Sequence, residues 1–471
     1  MPNWLDRWRR SEAFPAGPFR AELLNVERLE ERARSLAAEL GVTRGRRSPT
    51  RAYRRRIEDN ARALRGAYRI LAEDVHRGEA VPPSAEWLLD NFHLVEAEVV
   101  HVRRDLPPAY QRQLPTLAAP GLRTVTRVHF MAVDLLRHSD ARLDPQRLER
   151  FLSAYQTVAP LSLGEIWAWP SALKAALIEN LRRLTDDVLA GRAARRRAAE
   201  FVAPLEAEGA GDDKLPPLPD EVSTPFVVEL LTRMREFGPR VRELRERLES
   251  HLLAQGRTAE DAIRSEQQTE AATHVSIANT VTSLRLCATH DWSRYVERVS
   301  LVEQVLQRDP AGVYGRMDFA SRDRYRQAVE ELAEPNGEAQ VAAALAATEQ
   351  ARAAHEQRPE DASGHVGFHL IGKGRRDLEA RVGYRPRPLQ RVRRLVFRHA
   401  TAAYLTALLL VSLAVVGAAL AGARAQGASA WLQTAIALLA LLPASDLATS
   451  LKVQALGNLE DRKSTRLNSS H

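Results

Sequence analysis

The chain of 471 residues has a formal net charge of +8 at pH 7 and a single cysteine, Cys287. One cysteine excludes an intramolecular disulfide framework and fits a reducing compartment. The first ten residues (MPNWLDRWRR) lack the apolar core of a secretory signal, so we expect no secretion leader. The basic balance suits either nucleic acid or an anionic membrane surface.

The N-terminal half predicts helices. Residues 1–50 are basic and broken by proline and glycine, which indicates a partly disordered lead-in with one helix over about 21–40. From there 51–202 is predicted to be a helical domain. Ser84 is placed to cap one of its helices. The most regular apolar seam of that helix consists of Leu88, Phe92, Val95, Val99 and Val102.

Two local motifs mark the next helix boundaries. Ser162 and Glu165 have the spacing of a capping box, in which each side chain binds the backbone N–H of the other residue. Pro170 follows, so we expect a kink or a fresh helix start there. The Pro- and Gly-rich segment 203–225 predicts a linker between domains, and 226–357 a second helical domain. Its predicted helices cover 259–286, 290–308, 321–334 and 338–357.

The whole pattern predicts an all-α fold, because no stretch alternates with period two for long enough to indicate a strand. One motif in the chain resembles a phosphate-binding loop. Gly367 to Gly374 (GFHLIGKG) is one residue short of that consensus, since Gly374 replaces the hydroxyl that holds Mg²⁺. The preceding residues are too few and too polar for a buried strand. A flexible basic connector is therefore the preferred interpretation.

Other candidate sites also have simpler interpretations. Asp90, His93 and Glu96 share helical spacing, as do Glu270 and His274, but a helical metal site needs matching ligands from several helices, so solvated polar faces are preferred. Sugar-stacking aromatics are the alternative to core packing for Trp87, Trp167, Trp169 and Trp292. Surface charge or lipid headgroup contact is preferred to nucleic-acid binding for Arg44, Arg46, Arg47, Arg51 and the triplet Arg195, Arg196, Arg197. We assign no catalytic, cofactor-binding or metal-binding residue.

The C-terminal part predicts a membrane anchor. A Gly- and Arg-rich connector over 358–400 leads into an uncharged run over 401–423, and a second transmembrane helix is expected over 427–447. The short link between them predicts a helical hairpin, and cationic flanks stay cytoplasmic. Contact with inner-membrane lipids is expected for Arg385, Arg387, Arg391, Arg393, Arg394 and Arg398. We interpret the polar residues 452–471 as a disordered or non-native tail.

Several stretches, in order along the chain, resemble one family. They are 87–92 (WLLDNF) with 103–107 (RRDLP), 154–156 (AYQ) with 161–167 (LSLGEIW), 176–182 (ALIENLR), 276–285 (SIANTVTSLR), 299–306 (VSLVEQVL) with 309–320 (DPAGVYGRMDFA) and 322–325 (RDRY), 372–375 (GKGR), 383–386 (GYRP) and 441–447 (LLPASDL). Together they resemble the N-terminal region of bacterial cyclic β-1,2-glucan synthases.

The resemblance implies a large inner-membrane enzyme with a cytosolic glycosyltransferase domain that uses UDP-glucose and a divalent metal. That domain follows the matched region in the family, so we expect a truncated, non-catalytic part with a cytoplasmic N-terminal region, and its partners are membrane lipids and the transferase domain rather than nucleic acid. The alternatives are a stand-alone two-span protein that binds a partner or senses osmotic state, and a nucleic-acid-binding module.

Overall fold

In this computed structural model the chain is predominantly helical, which confirms the predicted all-α class. The structure describes residues 17–43, 50–119, 122–206, 217–219, 222–237, 241–333, 336–384, 400–427, 429–435 and 438–439. Its strands β1 (Val42–Thr43) and β2 (Thr116–Leu117) form one short antiparallel pair with Val42 opposite Leu117. The chain divides into two compact units, Met1–Leu378 and Glu379–His471.

The first unit is built from helices joined by short turns. Their bounds are α1 Val26–Glu39, α2 Thr50–His76, α3 Pro83–Asp90, α4 Phe92–Asp105, α5 Pro108–Gln111, α6 Arg127–Ser139, α7 Pro145–Gln156, α8 Leu163–Val202, α9 Thr224–Phe237, α10 Arg242–Ala254, α11 Ala259–Thr289, α12 Trp292–Val299, α13 Leu301–Leu306, α14 Phe319–Leu332, α15 Gly337–Gln357 and α16 Val366–Leu370. A last helix, α17 (Arg375–Arg381), lies across the division between the two units.

Helix α8 is the central element of this unit. It packs against α2, α4, α6, α9 and α11. It is buried around most of its circumference over its first half, and the buried side chains there include the charged Lys174 and Glu179. The capping box of Ser162 and Glu165 is confirmed at its first turn. The fresh start expected at Pro170 is wrong, because α8 continues through this residue.

The apolar seam from Leu88 to Val102 is buried as predicted. It belongs to two helices rather than one, since α3 ends at Asp90 and α4 begins at Phe92. The predicted cap at Ser84 is wrong: Pro82 holds the N-cap position, and the buried Ser84 hydroxyl donates instead to Glu270 of α11 at 2.7 Å.

Two hydrophobic clusters share the long helices α8 and α11. The larger cluster joins α1 to α8 with the C-terminal half of α11 and with α12. The smaller cluster is formed by the end of α8, by α9 and α10, and by the first turn of α11. Ile277 and Leu284 of α11 therefore lie in one core with the helices of 51–202. The division at 203–225 stays a prediction, and residues 207–216 and 220–221 of that segment lie outside the described residues.

The second unit contains α18 (Ala400–Ala425), which includes the predicted first span over 401–423. It ends in a turn where Gly427 has a φ of +73°. Among the residues that the structure describes, no helix has the length and apolar character needed to cross a membrane, so the predicted hairpin receives no support from the fold. The six arginines of 385–398, most of the predicted second span and the tail over 452–471 lie outside the described residues.

Candidate functional site

The phosphate-loop candidate folds as a helical turn. Residues 366–370 form α16, and a tight turn leads to α17, whereas a phosphate-binding loop follows a strand. A side chain at Gly367 would collide with Tyr325, whose hydroxyl oxygen lies 2.6 Å from the Cβ position. Gly367 therefore permits close packing of α16 on α14.

The carboxylate and histidine candidates do not form a metal site. Asp90, His93 and Glu96 are exposed, and the helix break at Asn91 separates the first from the other two. Glu96 pairs with Arg65 at 2.9 Å. Although α3 packs against α11, Glu270 accepts the hydrogen bond from Ser84. Within the described ranges, no group of three or more His, Cys, Asp or Glu residues is arranged to hold a metal ion.

The tryptophan candidates take part in packing. Trp169 is fully buried and stacks on Phe151 with ring centroids 6.3 Å apart. Trp167 is half-buried and meets the ring of Phe319 edge-on. The indole N–H of Trp292 donates to the carbonyl of Cys287 at 2.9 Å, and Trp87 packs against the larger cluster.

The basic candidates are divided between paired and exposed positions. Arg195 lies 3.3 Å from Glu266, and Arg196 lies 3.2 Å from Glu200 one turn away. Arg51 is exposed in the first turn of α2. Arg44, Arg46 and Arg47 lie outside the described residues.

The longest stretch of the family resemblance folds around a buried ion pair that the sequence reasoning missed. Arg326 of α14 donates to Glu303 of α13 at 2.8 Å, and both side chains are only 2% exposed. The hydroxyl of Tyr314 donates to the same carboxylate at 2.7 Å. We call these residues, with Asp309 and His365, the Arg326 network.

Asp309 links this network to α16. Its carboxylate accepts from the backbone N–H groups of Tyr314 at 3.1 Å and Val366 at 3.0 Å, and from Nδ1 of His365 at 2.8 Å. Burial raises the pKa of Asp309, but these hydrogen bonds outweigh burial and hold the pKa below its usual range. The network therefore fastens the 309–314 turn to α16.

A second network joins α8, α11 and the turn after α6. Asn180 accepts from the backbone N–H of Phe19 at 2.8 Å and donates to Thr280 at 3.1 Å. On the same face of α11, Ser276 donates to Asp140 at 2.6 Å. Ser283 donates to the carbonyl of Ala141 at 2.6 Å and accepts from Leu143 N–H at 2.9 Å. We call this set the Asn180 network.

The turn held by the Asn180 network has an unusual backbone. Asp140 and Ala141 have φ angles of +47° and +54°, a left-handed conformation that L-residues other than glycine seldom adopt. Hydrogen bonds from α11 reach the side chain or carbonyl of both residues. The stretch 276–285 of the resemblance therefore acts as a clamp on this turn.

A third buried cluster lies beside the second. Glu179 of α8 accepts two hydrogen bonds from Arg56 and one from Arg183, each at 2.6 Å. Burial raises the pKa of Glu179, but these guanidinium groups outweigh burial and hold the pKa well below its usual range. His129 of α6 lies 3.9 Å from the same carboxylate. No sequence pattern identified these residues as buried, because a buried arginine or glutamate cannot be distinguished from an exposed one by residue type.

The comparisons with known proteins agree with the resemblance. No protein-family model matches the chain. The cyclic beta-(1,2)-glucan synthase NdvB of Rhizobium meliloti (strain 1021) is 32% identical over 351 residues, which cover 73% of this chain. The chain spans 12% of the length of that relative. The resemblance is thereby confirmed, and the chain is related to one part of a cyclic β-1,2-glucan synthase.

Proposed function

We propose that the chain is a non-catalytic, membrane-associated scaffold within an inner-membrane enzyme that makes cyclic β-1,2-glucan from UDP-glucose. The similarity to NdvB carries the proposal, because it covers most of this chain but a small share of the relative. In this proposal the transferase domain is the partner of the helical first unit. UDP-glucose and a divalent metal are bound by that domain and not by this chain.

The chemistry of the buried carboxylates supports a scaffold role. Glu179 and Glu303 each accept hydrogen bonds from arginine, and Asp309 accepts from backbone N–H groups and His365. A general base or a metal ligand needs oxygen atoms that face a substrate or an ion. Carboxylates already engaged by cations and backbone groups instead join helices to each other.

The exposed apolar surface of α18 supports membrane association. Leu405, Leu409, Leu410 and Leu413 each expose more than half of their side-chain surface. A surface of this kind on one helix is a common site of membrane or protein contact. We propose that 401–423 and 427–447 insert into the inner membrane as a hairpin, with the arginines of 385–398 at the cytoplasmic lipid surface.

Reporter fusions test this topology. A fusion at Gln426 is expected to report the periplasmic side, and a fusion at Asp446 the cytoplasmic side. Lipid contact is tested with anionic vesicles, to which the full chain should bind less as salt rises, since salt screens exposed charges. A reversed reporter pattern contradicts the hairpin, and binding that ignores lipid charge contradicts the role of the arginines.

A chimera tests the scaffold function. In Rhizobium meliloti cells that lack NdvB, we would express NdvB whose matched part is replaced by this chain, and measure cyclic glucan. The chimera is expected to restore glucan, and the same chimera with Arg326→Met to restore much less, whereas Arg294→Met at an exposed ion pair serves as the matched control. The purified chain alone should incorporate no glucose from labelled UDP-glucose. Incorporation by the chain alone, or a chimera inactive despite normal membrane levels, contradicts the proposal.

A further inference from the structure

A segment without helix or strand, near the start of the described chain, packs on helices of the larger cluster. Residues 17–24, which we call the strap, precede α1 and have no helix or strand. Phe19 is the anchor of the strap and is 1% exposed. Arg20, Glu22 and Leu23 are exposed, and the other strap residues are half-buried. Phe19 is therefore the one fully buried side chain of the strap, and the half-buried Leu24 packs against the same cluster.

The site that receives Phe19 binds the backbone of the strap as well as the aromatic ring. Asn180 of α8 accepts from the N–H of Phe19 at 2.8 Å, and Arg183 donates to the carbonyl of Gly17 at 2.7 Å. The guanidinium of Arg183 also lies over the Phe19 ring, 4.5 Å from its centroid. Main-chain hydrogen bonds together with a pocket for one side chain are the usual way in which proteins bind extended peptides.

Further contacts extend the site in both directions. The N–H groups of Ala21 and Leu24 donate to the carbonyls of Arg137 and His138, at 3.1 and 3.0 Å. These carbonyls belong to the last turn of α6, where no intrahelical partner remains for them. Arg20 donates to the hydroxyl of Thr273 on α11 at 3.3 Å. The strap thus completes hydrogen bonds at the end of α6 and touches α8 and α11.

The strap loses backbone freedom when it docks and gains the burial of few apolar groups, so we expect it to detach without global unfolding of the chain. Eight residues lose backbone freedom when they dock, while one side chain becomes fully buried. Segments with few buried apolar contacts open locally far more often than the core. The released site would expose Asn180, which also holds Thr280 of α11 and, through α11, the left-handed turn at Asp140.

We propose that α6, α8 and α11 form a binding groove for a non-helical peptide segment with an aromatic residue followed by a basic one, which the chain's own strap fills in cis and leaves reversibly. The groove is independent of the proposed scaffold function. Its occupant is residues 17–24 of this chain. Occupancy is expected to stabilise the Asp140–Ala141 turn through the Asn180 network.

Peptide binding in trans tests the groove. A fluorescent peptide with the sequence of residues 16–25 is titrated into the full chain, into Phe19→Ala and into Leu23→Ala, which alters a side chain that is 65% exposed. The peptide is expected to bind Phe19→Ala at least tenfold more tightly than the other two chains. A peptide with alanine in place of its phenylalanine should bind at least tenfold more weakly. Equal binding to all three chains, or no binding to Phe19→Ala, overturns the proposal.

Hydrogen exchange tests release in the unmodified chain. The amides of Phe19, Ala21 and Leu24 are expected to exchange at least a hundredfold faster than those in the middle of α8. In Phe19→Ala, the amide of Leu143 should lose protection at least tenfold, whereas that of Leu163, which donates to Gln340 at 2.7 Å, should not change. Strap amides that exchange as slowly as α8 overturn the proposal.

Discussion

His129 provides a test of the buried electrostatics. It is 2% exposed and meets the ring of Tyr53 edge-on, with the centroids 5.5 Å apart. The pKa of His129 is lowered to about 3, first by burial and then by the charges of Arg56 and Arg183, while Glu179 opposes the shift. The native state therefore holds a neutral imidazole across the pH range in which an unfolded chain gains a proton.

The sign and size of the effect follow from proton linkage. A pKa that is lower in the folded state means that the unfolded state binds more protons, so stability falls with falling pH. The loss begins near the ordinary histidine pKa of about 6.5 and continues toward 3. As the pH falls from 7 to 5, this group should lower the free energy of unfolding by about 2 kcal/mol. The pKa of Glu179 is also lowered, but its contribution is lost mainly below the ordinary glutamate range of about 4.3.

Urea unfolding at pH 7 and pH 5 measures the prediction. In His129→Gln, the free-energy difference between the two pH values should shrink by about 2 kcal/mol relative to the unmodified chain. His93 is exposed, so His93→Gln removes an imidazole without disturbing the core. If His129→Gln keeps the full pH dependence, then His129 is not buried as a neutral imidazole in the folded chain.

Two further predictions concern packing. Arg326→Met removes the hydrogen-bonded cation of buried Glu303 and leaves Arg322 at 3.9 Å, so it should destabilise the chain by up to about 3–5 kcal/mol in urea unfolding. Arg294→Met at an exposed pair should cost under about 1 kcal/mol. Equal losses would refute the assignment, and Arg326→Met with Glu303→Gln should cost less than the sum of the single changes. Limited proteolysis should cut first within 203–225, yet the fragments should remain associated, because the larger cluster contains residues from both sides. Early cleavage between 84 and 104, or prompt separation of the fragments, would contradict this.

Local interactions made parts of the fold predictable. The capping box of Ser162 and Glu165 depends on residues three apart, and the predicted partners are those observed. The seam through Val95 and Val99 is set by helical period and is buried as expected. The break at Asn91 escaped prediction, since the apolar spacing continues across it. Ser84 shows the same limit, because its hydroxyl binds Glu270 on a distant helix.

The polar networks were beyond the reach of sequence patterns for a different reason. Arg326 and Glu303 are 23 residues apart, and Arg56 and Glu179 are 123 residues apart. Neither separation along the chain follows from the period of a helix or strand. Arginine and glutamate on a predicted helix are therefore interpreted as part of a solvated face. The resemblance did identify the stretches in which Glu179 and Glu303 lie. It did not indicate that these side chains are buried or which arginines they bind.

The stretch 276–285 allows a direct test of whether α11 holds the turn at Asp140 and Ala141. Two neighbouring hydroxyl residues in it differ, because one is buried and bonded to the turn and the other is exposed. Ser283 is buried and satisfies the carbonyl of Ala141 and the N–H of Leu143. Ser283→Ala leaves two buried backbone groups without a partner in a left-handed turn, at about 1–3 kcal/mol each. Thr282 is exposed one position earlier, so Thr282→Ala should change stability by under about 0.5 kcal/mol. Urea unfolding of both variants decides the matter: a similar loss in both would show that α11 does not clamp the turn.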